Sequence, residues 1–222
     1  MKLSIVIPVL DEAALVGRTL QSLAPLRARG HEVIVADGGS ADATREIAAP
    51  LADRVLAGAR GRASQMNAGA AAATGDVLLF LHADTELPAS ADEEISGKMG
   101  SRAWGRFDVS IEGDSPMLAV IAFFMNLRSR LTGIATGDQA IFVRRADFPG
   151  FPEIALMEDV AFSKLMKRRS RPACLGARAR TSGRLWERRG VLRTMILMRR
   201  LRLAYWRGAA PDELARRYAK EG

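Results

Sequence analysis

The chain predicts an α/β fold with a mostly parallel central sheet and helices on both faces. Three observations carry that expectation. Short apolar runs rich in β-branched residues alternate with longer segments whose apolar residues recur at helical spacing, which is the pattern of βαβ units. No linker, low-complexity stretch or internal repeat interrupts the alternation, so the 222 residues read as one domain. Composition is that of a globular chain, 48% hydrophobic and 26% charged, which argues against disorder, collagen and coiled coil.

Leu3–Val9 (LSIVIPV) reads as a buried strand. From Glu12 to Leu26 the spacing of Leu15, Val16, Leu20 and Leu23 predicts one helix, ended by Pro25 and Arg29-Gly30. His31–Ala36 is a second strand, and Asp37-Gly38-Gly39-Ser40 a turn into a helix from about Asp42. Arg54–Leu56 is a short third strand, Gly61–Ala73 an alanine-rich helix, and Asp76–Leu81 a fourth, strongly apolar strand. In Ala103–Ile111, Phe107, Val109 and Ile111 alternate with Arg106, Asp108 and Ser110, the mark of an antiparallel or mixed-sheet strand. Met117–Leu131 is an apolar helix and Gln139–Val143 a strand. Met157–Met166 is a helix opened by Glu158-Asp159. The chain divides into 1–110, 111–183 and a basic helical tail, 184–222.

Right-handed crossovers gather the strand carboxyl ends on one edge, where ligands of such sheets bind. Chemistry is therefore expected in Leu10-Asp11-Glu12, Asp37 to Ser40, Gly58 to Arg62 and His82-Ala83-Asp84. The turn after the first strand has no glycine, which disfavours a GxGxxG dinucleotide site, and no phosphate-binding P-loop stretch occurs. What the edge carries is acids. Asp37 could accept hydrogen bonds from a nucleobase or simply form its turn. Asp84 could hold a divalent cation that bridges two phosphates. Glu12 could act beside it or cap its helix.

The single cysteine, Cys174, leaves no intramolecular disulfide and no cysteine-rich zinc site. The opening MKLSIVIPVLDEA is acidic by its eleventh residue and does not read as a signal peptide. The longest apolar run, Pro116 to Asn126, falls short of the roughly 20 residues that span a bilayer. A cytoplasmic protein, soluble or at the inner face of the membrane, is expected. Charge is uneven: the net is +8, yet 164–222 alone holds 18 basic residues against 4 acidic ones. Such a tail faces something negative. Val191 to Arg207 has the make-up of an amphipathic helix in an anionic membrane interface, or of a helix docked on the domain with solvated arginines. Nucleic acid is not expected as a partner, because no recognised module and few stacking tyrosines are present.

The segments SIVIPVLDEA, VIVADGGSADAT and GRASQMNAGAAAATGDVLLFLHADT, in this order, resemble family 2 glycosyltransferases of the GT-A fold. The HADT variant, GDQAIFV, MEDVAFS and RLWERRGVLRT are similar to a bacterial subgroup known as rSAM/selenodomain-associated glycosyltransferases. The resemblance runs from Leu3 to about Tyr218. It implies that Pro8, Leu10 and Glu12 line a nucleotide pocket, that Asp37 bonds the base with Gly38 and Ser40 shaping the turn, and that Gly61 and Arg62 lie near base and diphosphate. It further implies that Asn67 fixes the helix beneath. His82-Ala83-Asp84 stands where the family has DxD, so Asp84 would bind the metal, Mn or Mg. His82 replaces the first acid and would meet ribose or phosphate. Glu158-Asp159 matches the acidic pair that supplies the catalytic base, although two acids at a helix start also suit its dipole.

The implied activity is transfer of a sugar from a nucleoside-diphosphate sugar to a hydroxyl acceptor, lipid-linked in the reading that the basic tail suggests. The expected course is inverting, with Asp159 as base and Glu158 as its alternative or as an orienting group. Asp138 borders the acceptor site or forms a turn, and Trp186 packs at the domain rim. Two rival expectations are a nucleotidyltransferase and a non-catalytic nucleotide-binding or membrane adaptor derived from the enzyme.

Overall fold

The structure is a computed structural model that describes residues 1–221; Gly222 lies outside the described residues. One eight-stranded sheet organises them, in the order β3-β2-β1-β4-β7-β6-β8-β5. Its strands are β1 (Leu3–Val9), β2 (Glu32–Asp37), β3 (Arg54–Ala57), β4 (Val77–Phe80), β5 (Thr85–Glu86), β6 (Trp104–Glu112), β7 (Ile141–Arg144) and β8 (Ala173–Ser182). β1 to β4 are mutually parallel, β7 runs antiparallel to both β4 and β6, and β5 runs antiparallel to β8. The boundary placed at 110/111 falls inside β6, which is parallel to β8 with a register shift at Phe107/Asp108.

Helices cover both faces because alternate strand residues point to opposite sides. Leu3, Ile5, Ile7 and Val9 of β1 pack with residues of α1 (Val16–Ser22), α2 (Ala24–Ala28), α3 (Thr44–Ala48) and α5 (Ala91–Met99). On the other side Val6, Ile34, Leu78 and Phe80 pack with α4 (Arg62–Ala72) and α7 (Glu158–Lys167). α6 (Met117–Thr132) lies on β6, burying Leu118, Ile121 and Met125. The tail forms α8 (Arg184–Arg189), α9 (Val191–Trp206) and α10 (Pro211–Glu221). No helix of the described residues is long and apolar enough to cross a membrane.

Several expectations need correction. The single helix over Glu12–Leu26 is instead a turn followed by α1 and α2, joined at Leu23. Pro25 has no N–H to give to Gln21, so the first helix ends and a new one starts around it. No element was expected over β5, α5 and β8, while α8 and α10 fall within the expected helical tail. β8 turns Ala173, Leu175, Ala179 and Thr181 inward at a period of two, but all except Leu175 are small, so the alternation carries little apolar signal.

α4, which carries Arg62, lies close on β1 because Gly69 has no side chain. A Cβ there would come within 2.3 Å of Val6 Cγ1, a stiff β-branched side chain at the sheet centre. Alanine favours a helix over glycine by about 1 kcal/mol, but overpacking a filled core costs about 1–3 kcal/mol. Gly69→Ala is therefore expected to lower the urea midpoint at unchanged m-value; a raised midpoint would mean that α4 can lift off the sheet freely.

Candidate active site

The loops that follow the strands are laced to each other before they meet any ligand. Asp11, in the left-handed region at φ 54°, donates its N–H to Ser40 Oγ (2.9 Å) and accepts Ala41 N–H at Oδ1 (2.8 Å). Glu12 N–H reaches Thr44 Oγ1 (2.8 Å), and Ala13 N–H reaches Asp42 Oδ2 (3.0 Å). Beneath them Gln65 of α4 donates to the carbonyls of Val9 (2.6 Å) and Ala36 (2.9 Å), pinning the ends of β1 and β2. Gly38 leaves room for that amide, since a Cβ would lie 2.9 Å from Gln65 Nε2. Asn67 trades two hydrogen bonds with the Phe151 backbone (2.9 and 2.7 Å), so it ties α4 to the loop before α7.

At the carboxyl edge these loops open on a cleft of about 290 Å³. Of the residues singled out in the sequence, Pro8, Glu12, Arg62, His82, Asp84, Glu158 and Asp159 line it together. Leu10, Asp37, Gly38 and Gly61 do not. Asp37 is only 1% exposed, and its carboxylate is taken by Gly39 N–H (3.1 Å), Ser40 N–H (3.1 Å) and the Ser40 hydroxyl. Its contacts serve the turn-forming alternative. Gly61 starts α4 at φ 132°, a conformation that side chains rarely adopt, and so lets Arg62 open the helix toward the cleft.

Charges in the cleft are set against one another. Arg62 Nη1 lies 3.2 Å from Glu158 Oε1. Burial works against the Arg62 cation, but Glu158, Asp159 and Asp138 outweigh it and hold the guanidinium above its ordinary pKa. Glu158 is 4% exposed, and burial followed by the charge of Asp159 pushes its carboxyl up despite Arg62. Asp159 is half-buried, with Oδ2 accepting Gly137 N–H (3.0 Å) and Oδ1 accepting Val160 N–H (2.7 Å). The residue before the pair, Met157, is left-handed at φ 71°. That strain costs about 1–2 kcal/mol for a side chain of this kind.

His82 does not turn toward Asp84. Its Nδ1 lies 3.3 Å from Asp138 Oδ1 and its Nε2 is buried without a partner among the described residues. Gly137 makes space for the ring: a Cβ there would come within 2.3 Å of Nε2. Burial would raise the Asp138 carboxyl, but His82 first, then Arg62 and Arg202, keep it below its ordinary value.

No group of three or more acid, histidine or cysteine side chains among the described residues could cage a metal. Asp84 still suits a hard cation that takes its remaining ligands from phosphate and water. Its Oδ1 accepts the hydroxyls of Thr85 (3.2 Å) and Thr181 (3.5 Å), while Oδ2 has no partner among the described residues. Burial and then the Asp84 charge raise the Glu12 carboxyl, which a cation between the two would relieve.

The other wall was not foreseen. It comes from the tail: Leu185 and Trp186 of α8, Thr194, Met198 and Arg202 of α9, and Tyr218 of α10. The docked alternative therefore holds for α9, which buries Leu197 and Leu201 against Met157 and Val160. Thr194, Met198 and Arg202 form one row at four-residue spacing, and that spacing is the signal which could have found them. Trp186, expected to pack at a rim, lines the cleft while its ring also meets the α6 core.

Comparison with known proteins agrees with this geometry. The glycosyl transferase family 2 model matches residues 4–151. A PGL/p-HBAD biosynthesis glycosyltransferase of Mycobacterium bovis is 41% identical over 91 residues, which cover 38% of this chain and 36% of that protein. An uncharacterised glycosyltransferase of Nostoc sp. is 31% identical over 91 residues, covering 38% and 28%. The match thus spans between about a quarter and a little over a third of the length of these curated relatives. Among solved structures, S. aureus TarS 1–349 in complex with UDP-GlcNAc superposes with a TM-score of 0.63 at 20% identity, covering 82% of this chain and 58% of that one. Glucosyl-3-phosphoglycerate synthase from Mycobacterium tuberculosis, in complex with Mn2+, UDP and glucosyl-3-phosphoglycerate, gives 0.60 at 18% identity, covering 82% and 70%. With the family model over two thirds of its length and a GT-A-like curled sheet, the chain belongs to the family 2 glycosyltransferases.

Proposed function

We propose that the chain moves a sugar from a nucleoside-diphosphate sugar to an acceptor hydroxyl, with inversion at the anomeric carbon. One observation carries the reading: Asp84, Arg62 and Asp159 line a single cleft. Transfer needs three things there, namely a place for the diphosphate, positive charge for the departing group and a base for the hydroxyl proton. A uridine nucleotide is the first donor to test, because similar folds bind UDP.

In this reading Asp84, with Glu12 beside it, holds Mn2+ or Mg2+. The bound cation would neutralise charge on the leaving diphosphate. Arg62, with about half of its side chain open to solvent, faces the same charge while Glu158 fixes the guanidinium. Asp159 is oriented by two amide hydrogen bonds, and each oxygen keeps a further lone pair to accept the hydroxyl proton. His82, paired with Asp138, shapes the cleft floor and takes no place beside the cation. The subgroup resemblance of the HADT and MEDVAFS segments fits the same assignment.

A lipid-linked acceptor at the inner face of an anionic membrane completes the reading. It is supported by an outward row on α6, where Phe123, Phe124 and Leu131 are 61%, 59% and 73% exposed. Leu192, Ile196, Leu203 and Trp206 of α9 are exposed as well, among arginines. Exposed apolar surface edged by basic residues is the chemistry of an interfacial contact.

Three measurements test these assignments. Asp159→Asn is expected to lower UDP-sugar turnover by about 10²–10⁴-fold with UDP affinity unchanged, whereas Asp84→Ala should weaken UDP binding in Mn2+ and remove its dependence on the ion. Turnover that survives Asp159→Asn rejects the base, and UDP binding without turnover in the wild type favours the adaptor. In flotation with phosphatidylglycerol vesicles, wild type should rise with the lipid and the Phe123→Ser/Phe124→Ser double variant should stay below. A wild type that stays below at low salt removes the membrane placement.

A further inference from the structure

Beyond the catalytic cleft, on the far side of Met157 and Val160, lies a second cavity of about 360 Å³. α6 contributes Arg128 and Thr132, and α9 contributes Arg199, Arg202 and Trp206. Arg202 lines this cavity and the catalytic cleft alike.

Arg128 and Arg202 are anomalous as structural residues. Neither has a carboxylate within ion-pair distance among the described residues, and neither donates a hydrogen bond there. Arg128 Nε and Nη2 are buried with no partner among the described residues. Burial lowers the Arg128 guanidinium to a pKa of about 10, and the positive charge of Arg202 adds to the effect. Burial lowers Arg202 too, against the pull of Asp159 and Asp138. Two like charges, partly withdrawn from water and with free donors, are costly unless an anion joins them. Planar guanidinium groups suit the oxygens of a phosphate, which they bind in pairs. The rest of the wall is apolar or aromatic: Ile134, Met157, Val160, Leu203 and Trp206.

We propose that this cavity is an acceptor subsite, in which Arg128 and Arg202 bind a phosphate group carried by the acceptor and so bring its hydroxyl to the Asp159 side of the cleft. The inference rests on the transferase reading for its purpose, though not for its binding chemistry. A phosphate on a hydrocarbon chain and a small phosphorylated metabolite share this recognition; the apolar wall distinguishes them by its contribution to affinity.

The test uses calorimetric titration of the full chain, first saturated with UDP and Mn2+, with inorganic phosphate and with octyl phosphate as probes. Both should bind to the UDP-loaded protein. Arg128→Gln and Arg202→Gln should each weaken them by about tenfold to hundredfold, and in Arg128→Gln, whose side chain lines the second cavity alone, UDP affinity should stay as in the wild type. Octyl phosphate binding about tenfold or more above inorganic phosphate supports the site with a lipid-type acceptor; equal binding supports it with a soluble one. Phosphate that UDP displaces, that ignores both substitutions, or that fails to bind overturns the proposal. If UDP itself does not bind, phosphate binding lost in both variants still establishes the anion site and the donor reading alone fails. Folding is controlled by thermal unfolding: without phosphate the variants should melt no lower than wild type, and added phosphate should raise the melting temperature of wild type alone.

Discussion

The arrangement of the site depends on how Asp159 is held. Its two oxygens accept amides from opposite sources, Val160 in its own helix and Gly137 in the turn before β7, so one carboxylate ties α7 to the sheet edge. The same turn presents Asp138 to His82, and Gly137 can do so only because its missing Cβ leaves the imidazole its space. Met157 accepts a left-handed backbone immediately before the acidic pair, a strain that persists where surrounding contacts over-determine a conformation. Asp159, Gly137, Asp138 and His82, on three segments, are therefore held by one another.

Around that anchor the acids of the cleft are set against partners. Glu158 is withdrawn from water but meets Arg62, which in turn is sustained by Glu158, Asp159 and Asp138. Asp84 keeps one oxygen on threonine hydroxyls, and the other has no partner among the described residues. The basic residues of α9 extend the balance beyond the cleft, since Arg202 is drawn toward Asp159 and Asp138 although burial opposes its charge. Such an arrangement suits a substrate whose charge changes during reaction, because the compensating groups are in place before it arrives.

Much of this was legible in the sequence. β1, β4, α6 and α7 lie within a residue or two of where periodicity places them, since a continuous apolar run or a sustained helical stripe leaves little choice of conformation. Asp84 is singled out by the rule that ligands meet the carboxyl ends of parallel strands and Asp159 by the resemblance of the MEDVAFS segment, and the structure brings both into one cleft. Asp37 shows where that rule runs short: the position is right, but the turn consumes its carboxylate. The tail is the larger gap. Its apolar and basic residues read equally well as a membrane-facing or a domain-facing helix, and nothing local says which side Arg202 takes.

By itself, then, the sequence determined the fold class and the sheet edge at which candidate acids gather, because strand and helix periods and turn chemistry are local properties. Only the tertiary structure decided that α8, α9 and α10 wall the cleft, that His82 turns to Asp138, and that Arg128 and Arg202 share a cavity. Those outcomes depend on contacts between segments far apart in the chain. There the identity of a side chain's partner, not its own propensity, sets its orientation and its charge.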